Sequence, residues 1–166
     1  MTSTTPAERL GTYLNGHLAG ANAGVATAER LAGRIDTEPT AGTLAQLVAD
    51  ISSDREQLQL IVDRLGVSGH PVKKAVGRVL GEAPRLAVAE VMTGSEHLSV
   101  LLETETLAMG IDGKLALWEA LVAVVPAHPR LAEFDLAALT ARARDQRRRV
   151  EEIRLAAARQ SFAAAS

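Results

Sequence analysis

The chain has no cysteine among its 166 residues, which excludes disulfide frameworks, thiolate metal sites and cysteine nucleophiles together and agrees with a reducing compartment. Aromatic residues are nearly as scarce. One Trp, one Tyr and two Phe leave little surface for stacking nucleobases or a flat cofactor. An excess of charge of either sign is also missing: eighteen basic and twenty acidic residues give a net charge of -2. The total field therefore attracts neither phosphate backbones nor anionic lipid, and no nucleic-acid or membrane partner is expected. Long apolar runs are absent as well. Leu115 to Val125 is interrupted by Glu119 and closed by Pro126, whereas a spanning helix needs about 20 apolar residues. Met1 to Arg9 has neither the basic start nor the apolar centre of a secretory signal, so a cytoplasmic location is expected.

What is present in quantity is alanine and leucine. Thirty Ala and twenty-two Leu against nineteen Val plus Ile favour helix formers over strand formers, which predicts one all-α domain over residues 1–166. Prolines and capping residues divide it. Thr5-Pro6-Ala7-Glu8 reads as a capping box with proline at the first helical position, opening helix A over about 6–35 with Leu10, Leu14, Leu18 (or His17), Ala21, Val25, Ala28, Leu31 and Ile35 as its inward stripe. Helix B, about 40–65, carries Leu44, Leu47, Val48, Ile51, Leu58, Ile61, Val62 and Leu65 and ends at Gly66. Residues 67–94 read as a long crossover with one or two short helices. A second capping box, Thr93-Gly94-Ser95-Glu96, opens helix C, about 95–125. This is the most apolar element, and it is expected to continue through Gly110-Ile111-Asp112-Gly113. Pro126-Ala127-His128-Pro129 stops helix C and starts helix D, about 129–160.

Two tightly joined helices, a long crossover and two more tightly joined helices make the layout of a ferritin-like up-down four-helix bundle. Tyr13-Leu14-Asn15-Gly16-His17-Leu18-Ala19-Gly20 and Leu107-Ala108-Met109-Gly110-Ile111-Asp112-Gly113-Lys114-Leu115-Ala116-Leu117-Trp118 resemble stretches of uncharacterised bacterial members of that superfamily. The superfamily's di-iron chemistry would require Glu-x-x-His on two helices. Three residues before His17, His70, His97 and His128 stand Leu14, Val67, Gly94 and Val125, so the motif is missing. No metal, no cofactor and no di-iron oxidase or ferroxidase activity are expected.

Candidate sites follow from heights along the helices, at about 1.5 Å per residue. His17, Asp54, Lys114 and Gln146 lie on or beside inward positions at similar levels. They predict a buried polar layer joining all four helices, read first as a register-fixing network and second as a ligand or proton-handling site. Glu103 and Glu105 stand in an otherwise apolar part of helix C, which predicts that one of them turns toward another helix. With Asp54 and His17 they are the candidate carboxylates of a noncanonical metal- or small-ligand site, possible redox chemistry included. Asp50, Glu151 and Glu152 read as solvated. Gly16, Gly20 and Gly24 predict a close helix approach, within the chain by preference or else to a second subunit. The arginines of helix D read as a solvated face, with Asp145/Arg149, Arg147/Glu151 and Arg148/Glu152 as i, i+4 pairs. No P-loop and no nucleophile-elbow sequence occurs. The sequence thus points to a scaffold or interaction protein, a homodimer through an alanine- and glycine-rich or leucine-rich helix face, rather than an enzyme.

Overall fold

A computed structural model describes residues 4–67 and 96–163. The proposed crossover, with His70, and the capping box at Thr93–Glu96 therefore fall outside the described residues apart from Val67 and Glu96. Four long helices make up the rest: α1 (Pro6–Ala32), α2 (Thr40–Leu65), α3 (Glu96–Val124) and α4 (Leu136–Phe162). No strand occurs among the described residues. α1 starts as its capping residues dictate: Thr5 Oγ1 accepts from the Glu8 amide at 3.2 Å, while the Thr5 amide donates to Glu8 Oε2 at 2.7 Å. α2 ends at Gly66, whose φ of 68° places it in the left-handed region that glycine occupies without steric cost. α3 runs unbroken through Gly110 and Gly113.

Helix D is the element whose start differs from expectation. Pro129–Glu133 forms a separate 3₁₀ turn that buries Leu131, and α4 begins at Leu136 with Asp135 as its cap, accepting from the Ala138 amide at 2.9 Å. A free carboxylate at position 135 satisfies an orphan amide that Pro129 cannot. The proline therefore opens the turn, not the long helix.

α1 packs along α2 and α3 along α4, and the two pairs meet through α1 against α3 and α2 against α4. The core is divided. One cluster joins Leu14, Leu58, Ile61, Trp118, Leu121 and Leu139; the other joins Ala28, Leu31, Leu47, Ile51, Ile111 and Val150. Between the two levels lie Asp54, Lys114 and Gln146. A ladder of ion pairs stitches α3 to α4: Arg144 to Glu119, Arg147 to Asp112 and Arg154 to Glu105. Its acids recur every seven residues, so they share one side of α3.

Candidate functional site

The polar level is built around one carboxylate. Asp54 follows Ile51 and precedes Leu58 on the inward stripe of α2, and only 1% of its surface is exposed. A buried charge there is tolerated only if it is paired and hydrogen-bonded, and three side chains do this. Lys114 Nζ of α3 donates to Asp54 Oδ2 at 2.6 Å and also to Gln146 Oε1. Gln146 of α4, fully buried, donates from Nε2 to the same Asp54 Oδ2 at 2.9 Å. Arg142, one turn earlier on α4, donates from Nε to Asp54 Oδ1 at 2.7 Å and from its terminal nitrogen to that oxygen as well. Both carboxylate oxygens are thus taken. Burial pushes the Lys114 ammonium below the ordinary lysine range, and Asp54 opposes that shift.

The structure brings Asp54, Lys114 and Gln146 into contact but leaves His17 outside. The His17 ring meets Tyr13 edge-on, with centroids 4.6 Å apart, and supplies none of the hydrogen bonds around Asp54. Partial burial without a counter-charge lowers its pKa. The position that α1 was expected to fill is taken by Arg142 of α4. Sequence reasoning had placed this arginine with the solvated ones. The signal was available, because Arg142 and Gln146 are four residues apart and share a face of α4.

The two carboxylates of α3 part company. Glu103 turns inward, 4% exposed, with Arg30 Nε of α1 at 3.4 Å and Arg34, just beyond the end of α1, at 3.6 Å. Glu105 is half-exposed and pairs with Arg154 of α4 at 3.6 Å. Neither appears among the hydrogen-bond partners of Asp54. Among the described residues no group of three or more His, Asp or Glu is placed to hold a metal ion. Three buried polar atoms there lack a hydrogen bond: Glu103 Oε2, Trp118 Nε1 and Arg149 Nε, the last held 2.8 Å from Asp145 Oδ2 as an ion pair.

Glu152 is exposed as expected, Asp50 and Glu151 are partly exposed, and all three have arginine partners, those of Glu151 and Glu152 including the expected i, i+4 residues. Asp50 is ion-paired to Arg149, Glu151 to Arg147 and Arg154, and Glu152 to Arg148. The two arginines on Glu151 hold its carboxyl well below the usual range, at about 2. The arginines of α4 therefore serve Asp54, Asp50 and the α3 ladder as well as their own helix. The small-residue row on α1 calls for a larger correction. A Cβ built at Gly16, Gly20 or Gly24 would meet nothing within 4 Å among the described residues. These glycines therefore do not sit at a close helix crossing among the described residues.

No helix of the described residues is long and apolar enough to cross a membrane. No family model matches the chain, and neither a curated protein nor a solved structure matches it.

Proposed function

We propose that this chain is a ferritin-like bundle acting as a scaffold or interaction protein, with Asp54 and its partners fixing helix register rather than performing chemistry. The observation that carries this reading is the saturation of Asp54: both oxygens accept hydrogen bonds from Lys114, Arg142 and Gln146, so a ligand would have to displace an existing partner. The ferritin-like part rests on which helix ends share a core cluster. Leu14 near the start of α1 joins Ile61 near the end of α2, Leu121 near the end of α3 and Leu139 near the start of α4. In this reading α2 and α3 run in one sense and α1 and α4 in the other, with one long connection returning the chain along the bundle. The cytosol remains the proposed compartment, on sequence grounds.

One observation favours the second reading, a noncanonical metal or small-ligand site. Glu103 Oε2 is buried and has no hydrogen-bond partner, and an unsatisfied buried acceptor costs about 1–3 kcal/mol. Metal analysis of the purified chain separates the two. The scaffold reading expects no stoichiometric metal and no rise in thermal midpoint on adding iron, manganese or zinc. A bound metal, or a rise abolished by Glu103→Ala or Glu105→Ala, overturns it.

A further inference from the structure

We infer that Glu103, Arg30 and Arg34 form a site for a small oxyanion that still carries a hydroxyl, hydrogen phosphate being the simplest. This rests on the small-ligand reading of Glu103 and names the ligand's class. The first observation is an unmet acceptor. The Glu103 side chain is 5% exposed, its Oε2 is buried without a hydrogen-bond partner, and its Oε1 faces Arg30 Nε at 3.4 Å and Arg34 at 3.6 Å. Charge-assisted bonds between such groups close at about 2.7–2.9 Å. Both arginines therefore stop short of the carboxylate. Asp54, the other buried acid among the described residues, accepts from Lys114, Arg142 and Gln146, so the bundle can saturate a buried acid from its own side chains. At Glu103 it does not.

The second observation is a pair of cations with unused donors. Arg30 and Arg34 are four residues apart, and Gly33 between them keeps right-handed helical angles (φ -73°, ψ -8°), so both side chains leave the same side of the chain. Thr27 steadies the first: its hydroxyl donates to the Ala23 carbonyl at 2.9 Å and accepts from Arg30 at 3.4 Å. Among the described residues that is the one side-chain hydrogen bond Arg30 makes, and the Arg34 guanidinium makes none. With side-chain exposures of 53% and 31%, both guanidiniums are open to solvent as well as to Glu103. A ligand can reach them without unfolding the bundle.

The chemistry of the three side chains selects the ligand. Two guanidiniums against one carboxylate leave positive charge in excess, which repels a metal cation and draws in an anion. A planar guanidinium meets an oxyanion through paired N–H donors. An oxyanion with no proton would set its own oxygen against Glu103 Oε2, two acceptors of like charge with nothing to share. A hydroxyl on the anion resolves the conflict, since it donates to Oε2 while the remaining oxygens accept from Arg30 and Arg34. Phosphate near neutral pH keeps such a proton and sulfate does not. The site thus has a physical basis for telling apart two anions of the same shape.

Titration calorimetry of the full-length chain in a chloride buffer near neutral pH tests the inference, with inorganic phosphate and sulfate as probes at equal ionic strength. The wild-type chain should bind a single phosphate, and sulfate at least about tenfold more weakly, because sulfate leaves Oε2 unmet. Glu103→Gln, whose amide donates as well as accepts, should bring the two anions within about twofold of each other. Arg34→Met should weaken phosphate at least about tenfold by removing a charged donor, while Arg148→Met, on the exposed side of α4, should leave it unchanged. A wild-type chain that takes up no phosphate at about 10 mM, or binds sulfate equally well, overturns the inference, as does an equal loss in both arginine variants. Should Glu103→Gln fail to fold, judged by its helicity, the sulfate comparison in the wild type and Arg34→Met still decide. Metal analysis keeps this inference apart from the reading beneath it. A stoichiometric metal lost with Glu103→Ala would sustain a ligand site and sink the oxyanion, whereas a chain that binds neither metal nor phosphate sinks both.

Discussion

His17 sits half-buried against Tyr13, and its imidazole is held below the ordinary histidine range by burial with no acid to offset it. The sign of the consequence follows from linkage. A histidine whose folded pKa lies below its unfolded value of about 6.5 takes up a proton more readily when unfolded. Stability is therefore complete above the unfolded pKa, falls as the pH drops through it, and levels off once the folded state is also protonated. Replacing His17 with Gln should flatten the fall in denaturation midpoint between pH 7.5 and 5. Identical slopes for the two proteins would show that His17 is not the titrating group. At the other extreme stands Glu151, whose carboxyl at about 2 keeps its ion pairs with Arg147 and Arg154 intact throughout that range, so the two effects separate on the pH axis.

Among the helices, the two caps show how far local chemistry carries and where it stops. Thr5 and Glu8 set the start of α1 as their spacing implies, since the capping box is a contact between near neighbours. Pro129 satisfied the same kind of local rule, yet α4 starts at Leu136, because Asp135 caps better and Leu131 gains burial in the intervening turn. The inward stripes of α1 and α2 were legible from three- and four-residue spacing. What the sequence did not disclose was long-range: that Arg142 joins Asp54, that Arg30 and Arg34 reach Glu103, and that the glycines of α1 meet no neighbour among the described residues. Arginine's length lets it pair across helices or remain solvated with the same sequence pattern, and a glycine row reads alike whether or not a helix covers it. The last point has a test. With no atom of the described residues within 4 Å of its built Cβ, Gly24→Ala should stabilise α1 by about 1 kcal/mol, the difference between the two residues in a helix interior. A loss of that size in the denaturation midpoint of the dilute protein would restore the close-packing reading.

At the scale of the whole molecule, the polar level separates two apolar clusters that would otherwise be one continuous core. Alanine and leucine alone could slide past one another by a helical turn with little change in buried area. An aspartate that must meet a lysine, an arginine and a glutamine from two other helices admits far fewer alignments, which is the best-attested use of a buried polar residue in helical assemblies. Two variants separate stability from this specifying role. Asp54→Ala leaves Lys114 and Arg142 without their counter-charge and should cost about 3–5 kcal/mol, the usual penalty for breaking a buried pair from one side. Replacing the layer together, with Asp54→Leu, Lys114→Met and Gln146→Leu, removes the buried charges at once. Arg142, with a third of its side chain already exposed, can turn its guanidinium to water. That protein should be as stable as the wild type or more so by about 1–4 kcal/mol. Its amide resonances should nevertheless broaden or double, because two alignments of the helices then have similar energies. A triple variant that is stable and still gives one sharp set of resonances would show that apolar packing alone fixes the register, and Asp54 would need another reason to be buried.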